Sequence, residues 1–399
     1  MSLVVETRHL WIGVVTLLAL AASADTRGAA WLNLASVHFH RAVLDAGPSA
    51  DAQVQRALDL DDRAIAADPA NSRALVLAAT IQAARGGTQA AIALLERAVA
   101  LEPANVGVRL QLANAHLSAG SEDVALAHWR EAGTWAVPML LKKGDIASAA
   151  GDITGAMAYY ERATRVDPAA NGPWIALGTA FEGMGRFEEA RVAYGRAVEQ
   201  QPGQTAGYER LAALLIDHIN RPAEADAVVA DGMARVRSPG PGLYLLRSRR
   251  AADLGDYHAA ERDARQAIAL NPRHGTYLAW LGELYYRQGR YAEAVAQYAR
   301  TGGEADEPNW RWRSHRRIGQ TYAALQNWSA AVEAYRTAVA VSRAQGASAQ
   351  VLSQNHLALG EALRDAGDIE MARAEFTRAI AEDPANERAA RLLAALRNP

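Results

Sequence analysis

Residues 174–202 read WIALGTAFEGMGRFEEARVAYGRAVEQQP, and the fold follows from that stretch. Trp174, Leu177, Gly178 and Phe181 stand at i, i+3, i+4 and i+7, which places them on one face of a helix. Gly185 breaks that helix, and Phe187, Ala190, Tyr194 and Ala197 then form the face of a second one. Pro202 ends the unit, because its ring has no N–H to donate and cannot continue a helix. The small residues Gly178 and Ala190 allow the two backbones to approach, while Trp174, Phe181 and Tyr194 fill the space between turns.

The same unit recurs along the chain. Prolines return about every 34 residues, at Pro69, Pro103, Pro138, Pro168, Pro202, Pro239, Pro272, Pro308 and Pro384. Three of them lie in nearly identical text: Asp68-Pro69-Ala70-Asn71, Glu102-Pro103-Ala104-Asn105 and Asp383-Pro384-Ala385-Asn386. The alanine that opens the second-helix face reappears as Ala57, Ala91, Ala125, Ala156, Ala190, Ala225, Ala260, Ala294, Ala331 and Ala372. Its successive spacings are 34, 34, 31, 34, 35, 35, 34, 37 and 41. First helices repeat Leu281-Gly282 with Tyr285, Ile318-Gly319 with Tyr322, and Leu359-Gly360 with Leu363. One helical hairpin copied in tandem buries its apolar face against the next copy, so the chain grows by adding units rather than by enlarging one core.

This pattern closely resembles the tetratricopeptide repeat (TPR) family, whose signature is W-x2-L-G-x2-Y, then A-x3-F-x2-A, then P. The resemblance covers about nine-tenths of the chain, with ten units from about Trp31 to Pro384. It implies an all-α fold, a right-handed superhelical α-solenoid of TPR helix pairs preceded by an N-terminal hydrophobic helix. The expected organisation is a tail over 1–9, a transmembrane anchor or signal peptide over 10–24, and a divergent first repeat over 25–70. The repeat array then covers 71–384 and a capping helix 385–399. The first unit carries about ten extra residues, including Gly47-Pro48-Ser49, so its first helix or its loop is longer. Lys143-Gly144 has lysine where leucine is expected, which predicts a distorted unit. Ser342 to Gln350 reads as an insertion broken at Gly346, and Arg388, Arg391 and Arg397 keep the outer face of the cap wet.

Composition removes several functions. The net charge is -2, so no global field draws the chain to nucleic acid, which is not an expected partner. With no cysteine there is no disulfide, thiolate nucleophile or zinc–thiolate site, and lipid attachment through an N-terminal cysteine is also removed. No catalytic residues, cofactor or metal are expected, and the repeats leave no segment for a catalytic domain; the reading is not an enzyme. His38-Phe39-His40 has i, i+2 spacing, which puts the two rings on different helix faces. Ser238-Pro239-Gly240-Pro241-Gly242 is glycine-rich, but Pro239 and Pro241 remove backbone amides and no Lys-Ser/Thr follows, so it fails as a phosphate loop. Glu188-Glu189 and Asp61-Asp62 are expected on second-helix surfaces as solvated charge.

Leu10 to Ala22 reads LWIGVVTLLALAA, thirteen positions without a charge, whose Leu, Ile and Val favour membrane insertion by about 3 kcal/mol. Ala22-Ser23-Ala24 would suit signal peptidase, giving a mature start at Asp25. Thirteen residues span only about 20 Å of the roughly 30 Å hydrocarbon core, so an anchor would have to begin near Leu3. The preferred expectation is a single-pass membrane protein with its repeats outside the cytoplasm; a periplasmic or secreted chain is the alternative.

In TPR proteins the first helices line the face that typically binds extended segments of protein partners. The resemblance therefore implies a groove here, and most of its positions are bland, such as Ile175, Thr179, Ala213 and Ala323. One stretch is not: Arg249, then Trp280, Glu283, Tyr286 and Arg287, then Arg313, Arg316, Arg317 and Gln320. Arginines with interleaved aromatics suit carboxylates, phosphates or aromatic side chains; the plainer alternative is surface charge with Trp280 and Trp312 packing between repeats. Asn114 fits one position of the chaperone-tail clamp known in the family, but the next unit lacks a partner for it. The leading function is a bacterial-type, membrane-tethered scaffold that recruits protein partners, subunits of a membrane or envelope complex. Two alternatives stand beside it: a soluble module binding peptide or glycan, and an accessory chain of an envelope glycosyltransferase, since the combination also looks like TPR portions associated with O-antigen ligase and polysaccharide-export systems.

Overall fold

The computed structural model describes residues 24–44 and 50–396, and among them every regular element is helical. The expectations placed on Leu10 to Ala24, on Gly47-Pro48-Ser49 and on Arg397 fall wholly or mainly outside these residues. The chain divides into two compact units, residues 1–180 and 181–399, with the division inside one helix.

The first unit holds α1 (Ala24–Leu44), α2 (Ala50–Ala67), α3 (Ser72–Ala84), α4 (Thr88–Leu101), α5 (Val106–Ser118), α6 (Glu122–Glu131), α7 (Ala136–Ala149) and α8 (Ile153–Val166). It ends within α9 (Asn171–Gly183). Each odd-numbered helix pairs with the next, and each pair packs on the following one. Asn71 and Asn105 explain the recurring Pro-Ala-Asn text: each accepts a hydrogen bond from the third amide of the helix it precedes, Ala74 and Val108, both at 3.2 Å. Asp68 in turn accepts from the Ala70 amide at 3.1 Å, folding the proline turn back on itself. The apolar faces meet in separate clusters. Leu75, Ile92, Leu95 and Leu112 join α3 to α5, and Leu126, Trp129 and Leu140 join α6 to α7.

Of two expectations for this unit, one holds and the other needs revision. The extra length of the first repeat goes into both its helices, since α1 has 21 residues and α2 has 18. The unit around Lys143-Gly144 is not itself distorted, because Gly144 still receives the ring of Tyr160 against its backbone. The irregularity lies just before it. Pro138 sits in the first turn of α7 rather than in a turn between units, and a short 3-10 segment, Gly133–Trp135, makes that connection.

The second unit opens with the end of α9 and α10 (Phe187–Gln200). It continues through α11 (Thr205–Asp217), α12 (Pro222–Arg235), α13 (Pro241–Asp253), α14 (Tyr257–Leu270), α15 (Gly275–Arg287), α16 (Tyr291–Glu304), α17 (Trp310–Ala324), α18 (Trp328–Ala344), α19 (Ala349–Asp365) and α20 (Ile369–Glu382). The cap α21 (Glu387–Ala395) closes it, with Leu393 buried inward and Arg388 and Arg391 on the exposed side. The Ser342–Gln350 insertion is broken at Gly346 as expected, with residues 345–348 between two helices. It extends α18 and α19 to 17 residues each, and Gly346 makes the break with φ of 65°.

One contact recurs inside the pairs. A Cβ built on Gly282 would lie 2.7 Å from the ring of Tyr298, on Gly319 2.8 Å from Tyr335, and on Gly360 2.7 Å from Phe376. Each ring stands sixteen residues after its glycine, and Gly144 with Tyr160 obeys the same rule. No real Cβ approaches so closely, so the missing methyl is what lets the second helix seat its ring on the first. The alanines four residues before these rings fit the same seam, and all ten alanines of the repeating series are fully buried.

That register corrects the reading of Asp61. It lies four residues after Ala57, in the place where six of the other nine repeats put a buried ring, and it is 0 % exposed rather than solvated. Burial, reinforced by the neighbouring charge of Asp62 and offset only in part by the Ala78 backbone, pushes its pKa up to about 7.

Two outcomes follow. Gly319→Ala should lower unfolding free energy by about 1–3 kcal/mol in urea melts through overpacking against Tyr335. Gly195→Ala, where nothing lies within 4 Å, should be neutral or stabilising by up to about 1 kcal/mol; equal effects at both sites would contradict the seam. For Asp61, the folded chain keeps a proton that the unfolded chain has released between about pH 4 and 7. Stability is therefore lost as pH rises through that window. Asp61→Asn should remove this slope, raising the melting temperature at pH 8 well above wild type while changing it little at pH 4. The same shift at both pH values would count against a buried, protonated Asp61.

Candidate partner-binding groove

Three neighbouring cavities open on the first helices of the second unit, and the nine residues singled out from the sequence all line them. The cavity of about 290 Å³ lies between α13 and α15 and reaches α17; Leu245, Ala279, Trp280 and Trp310 give it apolar walls. Arg249, Glu283 and Arg287 stand at its edge. A second, of about 450 Å³, lies between Glu283, Tyr286, Gln320 and the rings of Tyr298 and Tyr335. The third, of about 570 Å³, is bounded by Trp310, Trp312, Arg313 and Arg316 on α17 and by Gln350 and Gln354 on α19. Arg317 borders all three.

The charges are treated differently along this row. Around the smallest cavity every arginine has a carboxylate partner. Arg249 pairs with Asp217 at 2.7 Å, Arg287 with Asp253 at 3.3 Å and with Glu283 at 3.2 Å, and Arg317 with Glu283 at 3.4 Å. Trp280 is held by its indole N–H, which donates to the buried Ser248 hydroxyl at 2.7 Å, while the Arg287 guanidinium lies 5.1 Å over its ring. Glu283 also accepts from the Tyr298 hydroxyl at 3.2 Å, and burial together with this carboxylate raises the tyrosine pKa.

Around the largest cavity the balance changes. Among the described residues no carboxylate pairs with Arg313 or Arg316, and none lines the cavity. Arg313 lies 5.4 Å from the ring centres of both Trp310 and Trp312. Arg316 is half-buried and donates to the Gln354 amide oxygen at 3.2 Å. Burial, with the charges of Arg317 and Arg313 beside it, pulls the pKa of Arg316 down. Trp312 is only 6 % exposed, and its indole N–H has no acceptor among the described residues. The wall therefore offers donors and positive charge. Trp310 can lie where it does because a Cβ on Gly275 would occupy the indole ring.

Sequence reasoning missed Trp310 and Trp312 as lining residues, although both stand beside Arg313. It also missed Gln350, Val351 and Gln354, because the longer α18 and α19 bring them beside α17 and no repeat spacing announces that.

The other candidates lie elsewhere. At the Ser238–Gly242 turn the place of an anion is taken by the chain's own carboxylate: Glu209 accepts from the Leu243 amide at 3.1 Å, and burial raises its pKa. His38 contacts Gln53 at 2.6 Å and His40 the Ser36 carbonyl at 2.8 Å, so the two rings serve separate contacts. Lys143 donates to Asn114 at 2.9 Å, which occupies the one clamp-like asparagine within the fold. Glu188 and Glu189 are exposed and paired with arginines.

These helical hairpins, with their glycine–ring seams and first-helix groove, define a helix-pair repeat protein. Family models described as tetratricopeptide repeat match residues 141–205 and 245–306, and another matches residues 353–386. The chain belongs to the tetratricopeptide repeat family, whose members generally mediate protein–protein interactions and scaffolding. Among solved structures it is similar to yeast Tom70, at 14% identity over 93% of this chain and 88% of that one, with a TM-score of 0.49. It is also similar to Cut9–Hcn1 of an APC/C hetero-tetramer, at 13% identity over 97% and 98% of the two chains, with a TM-score of 0.45. A thermophilic TPR protein of Thermus thermophilus is 26% identical over 46% of this chain and 98% of its own, with a TM-score of 0.39.

Proposed function

We propose that the protein is a scaffold whose second unit holds an extended segment of a protein partner along the first helices α13, α15, α17 and α19. The carrying observation is the unbroken row of three cavities on these helices, walled by Trp280, Tyr286 and Trp310 and edged by arginines. Aromatic and arginine side chains concentrate binding free energy at protein interfaces. An open row of this kind suits an extended ligand better than an enclosed small molecule.

The finer reading is a bacterial-type, membrane-tethered scaffold for subunits of a membrane or envelope complex. It is supported by the uncharged run from Leu10 to Ala22. Among the described residues no helix is long and apolar enough to cross a membrane. A chain cleaved before Asp25 and acting as a soluble periplasmic or secreted module is the second reading, favoured by Ala22-Ser23-Ala24. Binding is expected to involve no catalysis and no cofactor.

A single experiment separates these readings. The full-length chain is fractionated with alkaline carbonate and then extracted in detergent with its partners, beside Arg313→Glu/Arg317→Glu. Wild type should stay with the membrane and arrive with specific companions. The reversed variant should stay with the membrane, keep its helicity, and lose them. Capture unchanged by the double reversal would remove the groove, and a soluble chain beginning at Asp25 would replace the tether with the secreted reading.

A further inference from the structure

We infer that the cavity between α17 and α19 is the subsite for acidic side chains of the partner segment, and that the apolar cavity beside it takes a neighbouring apolar or aromatic residue. The inference rests on the groove reading above and gives its occupant a chemistry: a peptide segment in which Asp or Glu lies close to a large apolar residue.

Three observations converge on the acidic subsite. First, the charge is left over rather than used. Arg313 and Arg316 face the same cavity without a carboxylate, whereas Arg249, Arg287 and Arg317 next door are neutralised by Asp217, Asp253 and Glu283. Second, the α17 seam lacks an acid that three other seams carry. The residue after the seam glycine is Asp145 behind Gly144, Glu283 behind Gly282 and Glu361 behind Gly360, but Gln320 behind Gly319. In those repeats the acid has a partner: Asp145 accepts from Tyr160 at 2.8 Å, Glu283 from Tyr298, and Glu361 pairs with Arg388 at 2.6 Å. Gln320 lines the cavity instead and accepts from Arg317 at 3.3 Å. Third, Trp312 lines the cavity, and its buried indole N–H, which can only donate, has no acceptor among the described residues. An unmet donor beside two unneutralised guanidiniums specifies an acceptor-rich, negatively charged occupant.

A protein segment fits better than a lone anion. Gln320, Gln350 and Gln354 add amide groups that both donate and accept, which is what a peptide backbone requires. Trp310 and Arg317 form the shared wall between the cationic cavity and the apolar one, so one extended chain can fill both. The apolar cavity, its charges already paired, offers no electrostatic reason to hold a second acid.

The test uses the full-length chain, fluorescently labelled, on an array of twelve-residue peptides of random sequence. Captured spots should be enriched in Asp or Glu near an aromatic or aliphatic residue, and capture should weaken as salt is raised. Arg313→Gln/Arg316→Gln should reduce binding of these peptides about tenfold, the loss of one or two charge-assisted hydrogen bonds. Gln320→Glu should do so too, by placing in the cavity the acid found after Gly144, Gly282 and Gly360, and it does not depend on the double variant folding well. Arg300→Gln, whose arginine pairs with Glu304 outside all three cavities, should bind like wild type. Captured spots without acidic enrichment, or acidic enrichment that survives both cavity variants, would overturn the subsite while leaving a groove that binds peptides. Phosphoserine peptides held tenfold more tightly than their glutamate counterparts would overturn the carboxylate assignment. No captured spots from any variant would overturn the groove reading itself.

Discussion

In four repeats a ring from the second helix lies directly on a glycine of the first, and the rest of the hairpin geometry there depends on that contact. Tyr160 on Gly144, Tyr298 on Gly282, Tyr335 on Gly319 and Phe376 on Gly360 bring two backbones to a separation that a single methyl group would forbid. The buried alanine one turn before each ring completes the fit from the other side. Close approach of the helices is favourable because it removes two apolar stripes from water; each buried Leu or aromatic residue contributes about 1.5–3 kcal/mol. Burial is spread over successive clusters, so each hairpin is stabilised by its neighbours rather than by one central core.

The same contact prepares the surface used for binding. With the second helix committed to the seam, the outward residues of the first helix are left to vary without cost to the fold. The position just after the glycine shows the consequence. An acid there satisfies a tyrosine hydroxyl or an arginine, and Gln320 at that place leaves α17 with positive charge that the fold does not neutralise. Function is thus written in departures from the repeat, at positions the repeat does not need.

The helix pairs were legible in the sequence because the alanine, glycine and ring positions each carry a steric requirement that few residues meet. The ring place also shows where a reading by residue type went astray. Asp61 looked like ordinary surface charge, yet counting four residues from Ala57 puts it where Tyr160, Tyr298 and Phe376 are buried. The groove was legible in part. Arg313, Arg316 and Arg317 stood out as a charged run among aromatics, but the pairing of Arg249 with Asp217 and of Arg317 with Glu283 joins residues more than thirty positions apart, and no local pattern encodes it. Gln350 and Gln354 were hidden for a related reason, since their place depends on helix lengths that depart from the repeat.

Hydroxyl-radical footprinting of the full-length chain with and without its captured partner examines the binding face itself. Trp280, Tyr286 and Trp310 should lose reactivity when the partner is present, while Trp328 on the second helix α18 and the exposed Trp135 of the first unit keep theirs. Protection of Trp328 or Trp135 with Trp280, Tyr286 and Trp310 unchanged would contradict binding along the first helices.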